Sequence, residues 1–260
     1  MIAAWNGHSI WLLVASFLAG TLNAVAGGGS FLSFPALLGM GVLPIEANAT
    51  NTVALWPGQF TSIAGYREEL RSSVRTLMPL SVAALIGGLL GAIVLLRTGQ
   101  TTFLRLVPWL LLVGALLFAA SGPVARRLQR LSSHPHHARP KHALLFLSML
   151  AVCFYIGYFG AGAGFLIMSV LALFGIEEIN RINAIKVVTT TLANGIAVVT
   201  FVVRGQVEWR YCLLMMVTAA IGGYIGARGS RKLDGRIVRA MVVVIGLGMS
   251  AYFFWRQAAS

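Results

Sequence analysis

The residues able to do chemistry in this chain are amides, hydroxyls and one lysine, gathered in two matching stretches. In "NATNTVALWPGQ" (48–59), Asn48, Asn51, Thr52 and Gln59 fall within about 100° on a helical projection, a polar stripe on an apolar helix. A shift of 135 residues places Asn183, Lys186 and Asn194 on Asn48, Asn51 and Gln59, with Thr190 on the same face. Ahead of each stripe lies a run of small residues, "AVAGGGSF" (24–31) and "AGAGFL" (161–166). Glycines there break a helix and leave N–H groups at the positive end of the next one, a setting that favours an anion. Asn23, Gly28, Gly29, Ser30, Asn48, Asn51, Thr52 and Gln59 of the first stretch are therefore candidate binding residues, with Gly162, Gly164, Lys186, Thr190 and Asn194 of the second. The chemistry is binding rather than bond-making. No nucleophile–base pair and no metal-ligand spacing is present, so a catalytic site, a cofactor and a metal are not expected.

For any single polar residue the alternative is hydrogen bonding between packed helices, which membrane proteins use widely. Lys186 either faces the site or snorkels to the membrane surface from the start of its helix. The acidic residues Glu46, Glu68, Glu69, Glu177, Glu178, Glu208 and Asp234 all fall near span ends or in loops. A proton relay of carboxylates at depth is thus disfavoured, and an anion suits the site better than a cation.

These residues have to be positioned inside a bilayer. The chain is 58% hydrophobic and 10% charged, with a mean hydropathy of +0.82, far more apolar than a soluble core requires. Apolar segments recur at Ile10–Met40, Ile45–Tyr66, Leu77–Leu96, Leu106–Val124, Ala143–Ile176, Ile182–Val203, Tyr211–Ala227 and Val238–Trp255. Most are long enough to cross a ~30 Å hydrocarbon layer. The triplet Ala24-Val25-Ala26 imitates a signal-peptidase site, but no Lys or Arg precedes Arg67, so cleavage is not expected.

The chain also repeats itself. "GGGSFL" (27–32) aligns with "AGAGFL" (161–166), and "IGGLLGA" (86–92) with "IGGYIGA" (221–227). The expected organisation is a first membrane repeat over 1–124, a basic cytoplasmic linker over 125–142 and a second repeat over 143–260. If Ile10–Met40 and Ala143–Ile176 each cross once, the 20 Lys and Arg divide 11 to 9 between the two faces; if each is a re-entrant hairpin they divide 15 to 5. Basic residues collect on the cytoplasmic side, so the hairpin arrangement is expected. One hairpin and three spans make an odd number of crossings, which inverts the second repeat relative to the first, as in many secondary transporters. The expectation is an all-α integral membrane protein of two inverted repeats, each a glycine-tipped re-entrant hairpin plus three transmembrane helices.

The remaining features are structural. The I-G-G-x-x-G-A pairs read as close helix packing, and Cys153 and Cys212 as small core residues. Trp5, Trp11, Trp209 and Trp255 lie near segment ends, as interfacial anchors do. The linker histidines His134, His136, His137 and His142 have no recognised metal spacing. The formal charge of +13 is accounted for by loops touching anionic lipid, not by nucleic acid.

"GTLNAVAGGGSFLSFPALLGMGVLPIEANATNTVALWPG" (20–58), with its weaker echo "GYFGAGAGFLIMSVLALFGI" (157–176), resembles the TauE/SafE sulfite exporter family of bacterial membrane proteins. The matching positions are Asn23, Gly27, Gly28, Gly29, Ser30, Pro35, Asn48, Thr50, Asn51 and Pro57. The resemblance implies a multi-pass protein of the bacterial inner membrane that moves sulfite, sulfoacetate or a related small sulfur-containing anion, usually outward. Where a Gly-Thr-Ser-like stretch is expected in the second half, this chain reads "AIKVV" (184–188), and Lys186 there points to a more highly charged anion than sulfite. The expected mechanism is alternating access, one anion being enclosed near the midplane by the two glycine tips and two polar stripes. An anion channel, or a non-transporting membrane subunit that binds a soluble partner through the basic linker, are the alternatives.

Overall fold

A computed structural model describes residues 7–25, 28–64, 67–131, 142–176, 178–229 and 235–258. Gly27, Trp5, Glu177, Asp234 and linker residues 132–141 lie outside the described set. Within that set every regular element is a helix. In chain order they are α1 (Gly7–Val25), α2 (Ser30–Gly39), α3 (Pro44–Leu55), α4 (Pro57–Ala64), α5 (Arg67–Ser72), α6 (Val74–Arg97), α7 (Gln100–Leu131), α8 (His142–Tyr158), α9 (Ala163–Leu173), α10 (Ile179–Val203), α11 (Trp209–Gly229) and α12 (Gly235–Ala258).

Among the described residues four stretches are long and apolar enough to cross a membrane: Val74–Arg97, Gln100–Leu117, Asn180–Val203 and Ala240–Ala258. The outer face of α6 carries Val82, Leu85, Ile86, Leu89, Leu90 and Val94, all exposed, while Gly87, Gly88, Gly91 and Ala92 are buried. Large apolar side chains outward and glycines inward is the arrangement lipid demands, since the contact between helices then depends on close backbone approach. Cys153 and Cys212 are both buried as free thiols.

Both long N-terminal segments of the expected repeats are broken. Ile10–Met40 becomes α1 and α2, and Ala143–Ile176 becomes α8 and α9, with left-handed glycines at each break: Gly28 (φ +88°) in the first, Gly160 (φ +76°) and Gly162 (φ +75°) in the second. A side chain at such φ values is strained, so glycine is what allows the turns. Two boundaries differ from expectation. The segment Ile45–Tyr66 is interrupted at Trp56, because Pro57 has no N–H to offer the carbonyl of Val53, and α4 starts afresh. Helix α7 also runs on to Leu131, over the first seven residues of the expected linker, since "ARRLQRL" contains no helix breaker.

The chain divides into two compact units, and neither is a sequence half. Unit 1 comprises 1–58, 98–115 and 201–260; unit 2 comprises 59–97 and 116–200. In unit 1, α1 packs along α11; in unit 2, α8 packs along α6. The helices bearing I-G-G-x-x-G-A, α6 and α11, are thus each paired with the first arm of the other half's broken segment. Backbones touch at these seams. A Cβ added at Gly20 or Gly222 of unit 1 would land on the carbonyls of Ala219 and Phe17, and one at Gly91 or Gly157 of unit 2 on those of Phe154 and Gly88. Thr21 adds a hydrogen bond from Oγ1 to the Gly222 carbonyl, 3.0 Å.

Candidate functional site

In unit 1 the polar candidates converge on the α1–α2 turn. Asn23, in the last turn of α1, accepts the Gly29 N–H through Oδ1 at 2.8 Å, so the turn is fixed by a side chain rather than by further helix. Gly29 has no room for anything larger, because its Cβ would fall on the Ala19 carbonyl. Ser30 opens α2, and Asn51 of α3 reaches it: Asn51 Nδ2 donates to Ser30 Oγ at 3.1 Å. Ser33, one turn on, donates its hydroxyl to Asn51 Oδ1 at 2.5 Å. Asn51 is 2% exposed and Ser33 is fully buried, while Ser30 is partly exposed, so a neutral cluster of one amide and two hydroxyls stands at the start of a helix. Ser33 was missed in the sequence. Its spacing of three residues from Ser30, which puts both hydroxyls on one helical face, was the available signal.

Asn48 is buried one turn before Asn51. Thr52 turns its hydroxyl back to the Asn48 carbonyl, 2.9 Å. Gln59 lies beyond the interruption at Trp56–Pro57, on α4. Thr50, a position matched to the family, accepts the N–H of Glu208 through Oγ1 at 2.9 Å and so ties α3 to the start of α11.

Unit 2 repeats the geometry with different chemistry. Gly162 opens α9, and the turn before it is held by Tyr155, whose hydroxyl donates to the Ala161 carbonyl at 2.8 Å. Lys186 of α10 lies over the start of α9: a Cβ added at Gly164 would meet Cδ of Lys186 at 3.6 Å and no other described atom within 4 Å. The ammonium donates to Asn183 Oδ1 at 3.0 Å. Under the repeat alignment Gly164 corresponds to Ser30, Ile167 to Ser33 and Lys186 to Asn51. The same two positions therefore meet in both units, as amide on hydroxyl in one and lysine stem on glycine in the other. Thr190, like Thr52, is turned to its own helix, Oγ1 donating to the Lys186 carbonyl at 2.7 Å. Asn194 stands about 12 Å further along α10, where Nδ2 faces Gln59 Oε1 at 3.4 Å. The pair Gln59–Asn194 is separate from the Lys186 cluster.

The chain is thus apolar and helical, with polar side chains collected at two glycine turns. Residues 12–253 match the family model described as Sulfite exporter TauE/SafE. This chain belongs to the TauE/SafE family. The TauE/SafE match takes in both glycine turns and both polar helices. Among curated proteins the chain is similar to the "Probable membrane transporter protein ORF9" of Sinorhizobium sp, 24% identical over 242 residues, 92% of this chain and 90% of the relative. It is likewise similar to a "Probable membrane transporter protein" of Haemophilus influenzae, 26% identical over 251 residues, 95% of this chain and 94% of the relative. The "Probable membrane transporter protein YfcA" of Escherichia coli K12 is 27% identical over 246 residues, 92% and 87% of the two chains. No solved structure matches the chain. This TauE/SafE protein is accordingly a multi-pass membrane transporter.

Proposed function

We propose that the protein exports a small sulfur-containing anion, sulfite or an organosulfonate such as sulfoacetate, across the bacterial cytoplasmic membrane by alternating access. The observation that carries this reading is the Asn51–Ser30–Ser33 cluster at the N-terminus of α2, set beside a glycine turn in a TauE/SafE chain. Amides, hydroxyls and helix-end N–H groups are the donors an oxyanion needs, and no carboxylate stands among them to repel it. Helices α2 and α9, of 10 and 11 residues, reach about 15 Å, half the hydrocarbon thickness, which supports a pair of re-entrant hairpins whose turns lie at depth. With hairpins, the basic residues gather on the cytoplasmic face and the two repeats are inverted. Outward movement needs no coupling ion, because a negative-inside potential drives an anion out by about 2.3 kcal/mol per charge per 100 mV.

The test is sulfite efflux from proteoliposomes under an imposed potential, with Asn51→Asp as the variant. Aspartate keeps the shape and the acceptor for Ser33 but adds a negative charge beside the turn. The wild type should give saturable, potential-dependent efflux, and N51D at least a tenfold lower rate, on the order of the 1.5–3 kcal/mol of a hydrogen bond to a charged group. Efflux no faster than from empty liposomes, or unchanged in N51D, overturns the proposal.

A further inference from the structure

The side chains that face the two glycine turns differ in charge. At the α1–α2 turn, Asn51 finds Ser30 and Ser33 on the facing helix and satisfies both ends of its amide there. At the corresponding place in unit 2, α9 offers Gly164 and Ile167, neither with a side chain able to bond Lys186. Lys186 lies within the apolar span Asn180–Val203, about 9 Å from its start. Its side-chain partner among the described residues is the neutral oxygen of Asn183. A cation in a membrane span is costly unless something compensates it, and here the start of an 11-residue helix adds to the positive potential instead. Space for a compensating group exists next to the lysine stem, where Gly164 leaves the face of α9 bare.

We infer that Lys186, braced by Asn183 over the bare Gly164 face of α9, reads the formal charge of the transported anion, favouring dianionic sulfur oxyanions over monoanionic sulfonates. The inference rests on the anion-transport reading above and assigns its charge selectivity to one residue. Coulomb attraction to a fixed charge is proportional to ligand charge. Removing that charge therefore weakens a dianion by the square of the factor by which it weakens a monoanion at the same distance. A lysine that merely supports the fold would change both alike.

The experiment measures binding of thiosulfate, a dianion, and methanesulfonate, a monoanion, to the purified full-length protein at constant ionic strength. Wild type, Lys186→Met and Lys186→Arg are compared. K186M should weaken methanesulfonate about tenfold and thiosulfate about a hundredfold, and K186R should retain the wild-type preference for the dianion. Where K186M does not give a monodisperse protein, Asn183→Asp, which sets a carboxylate against the ammonium, should give the same squared relation. Equal weakening of the two ligands, or none, overturns the role of Lys186 while leaving the transporter reading in place. A wild type that binds neither ligand overturns both.

Discussion

Placing a methyl group at Gly222 of α11 tests how the two seams are built. The new Cβ would stand against the Phe17 carbonyl of α1, 2.8 Å from its carbon, where ordinary contact begins at 3.4 Å. To relieve the overlap the helices must part by roughly 1 Å, which forfeits a quarter to a half of the dispersion attraction between facing atoms. Overpacking of this kind costs about 1–3 kcal/mol, and stretching the Thr21–Gly222 hydrogen bond adds about 0.6 kcal/mol. The control is the adjacent residue. At Gly223 the Cβ would meet the Gly20 carbonyl oxygen at 3.6 Å, an ordinary contact, and the gain in helix propensity is the same. G222A should therefore be less stable than G223A by about 2–4 kcal/mol, the propensity cancelling in the difference. Gly88, the repeat counterpart of Gly223, is walled by Ala193, whose Cα would lie 2.8 Å from an added Cβ, so G88A should be destabilised along with G222A. Equilibrium unfolding in mixed micelles of increasing SDS content measures all three. A difference between G222A and G223A below about 0.5 kcal/mol would refute the close-contact account.

Two further substitutions probe the turns and the helix ends. Gly162→Ala forces a side chain into the left-handed region at φ +75° and should destabilise the protein by about 1–2 kcal/mol in the same assay, despite alanine's higher helix propensity. Gln100 accepts the Ile45 N–H through Oε1 and donates to Glu46 through Nε2, both at 2.9 Å, so Gln100→Leu removes both partners at the start of α3. The expected cost is about 1–3 kcal/mol, and a double-mutant cycle with Glu46→Leu should recover part of it.

The helical class and the two breaks were legible because lipid permits few choices. A backbone that must satisfy itself inside hydrocarbon is helical, and glycine clusters at 27–29 and 160–164 mark where it stops being so. The polar stripes were legible as residues but not as sites. Helical projection assumes an unbroken helix, and the interruption at Trp56–Pro57 falls between Thr52 and Gln59. Projection also says nothing of where a hydroxyl turns, and Thr52 and Thr190 both bond their own helix. The pairing of α1 with α11 and of α8 with α6 was hidden for another reason. The I-G-G-x-x-G-A motif announces a close contact without naming the partner, and complementarity between glycine on one helix and a bare carbonyl on the other is a property of two surfaces, not of one sequence.

The exchange of helices between the halves fixes an order of assembly during synthesis. Every residue of unit 2 has been made once Thr200 has left the ribosome, so that unit can close while the chain is still growing. Helix α1 emerges first and finishes last. It must wait for α11, whose first residue, Trp209, follows Val25 by 184 residues, a delay of about 10–40 s at 5–20 residues per second. Through that interval its glycine face, cut to fit a backbone not yet made, has only lipid and the translocation machinery to lie against.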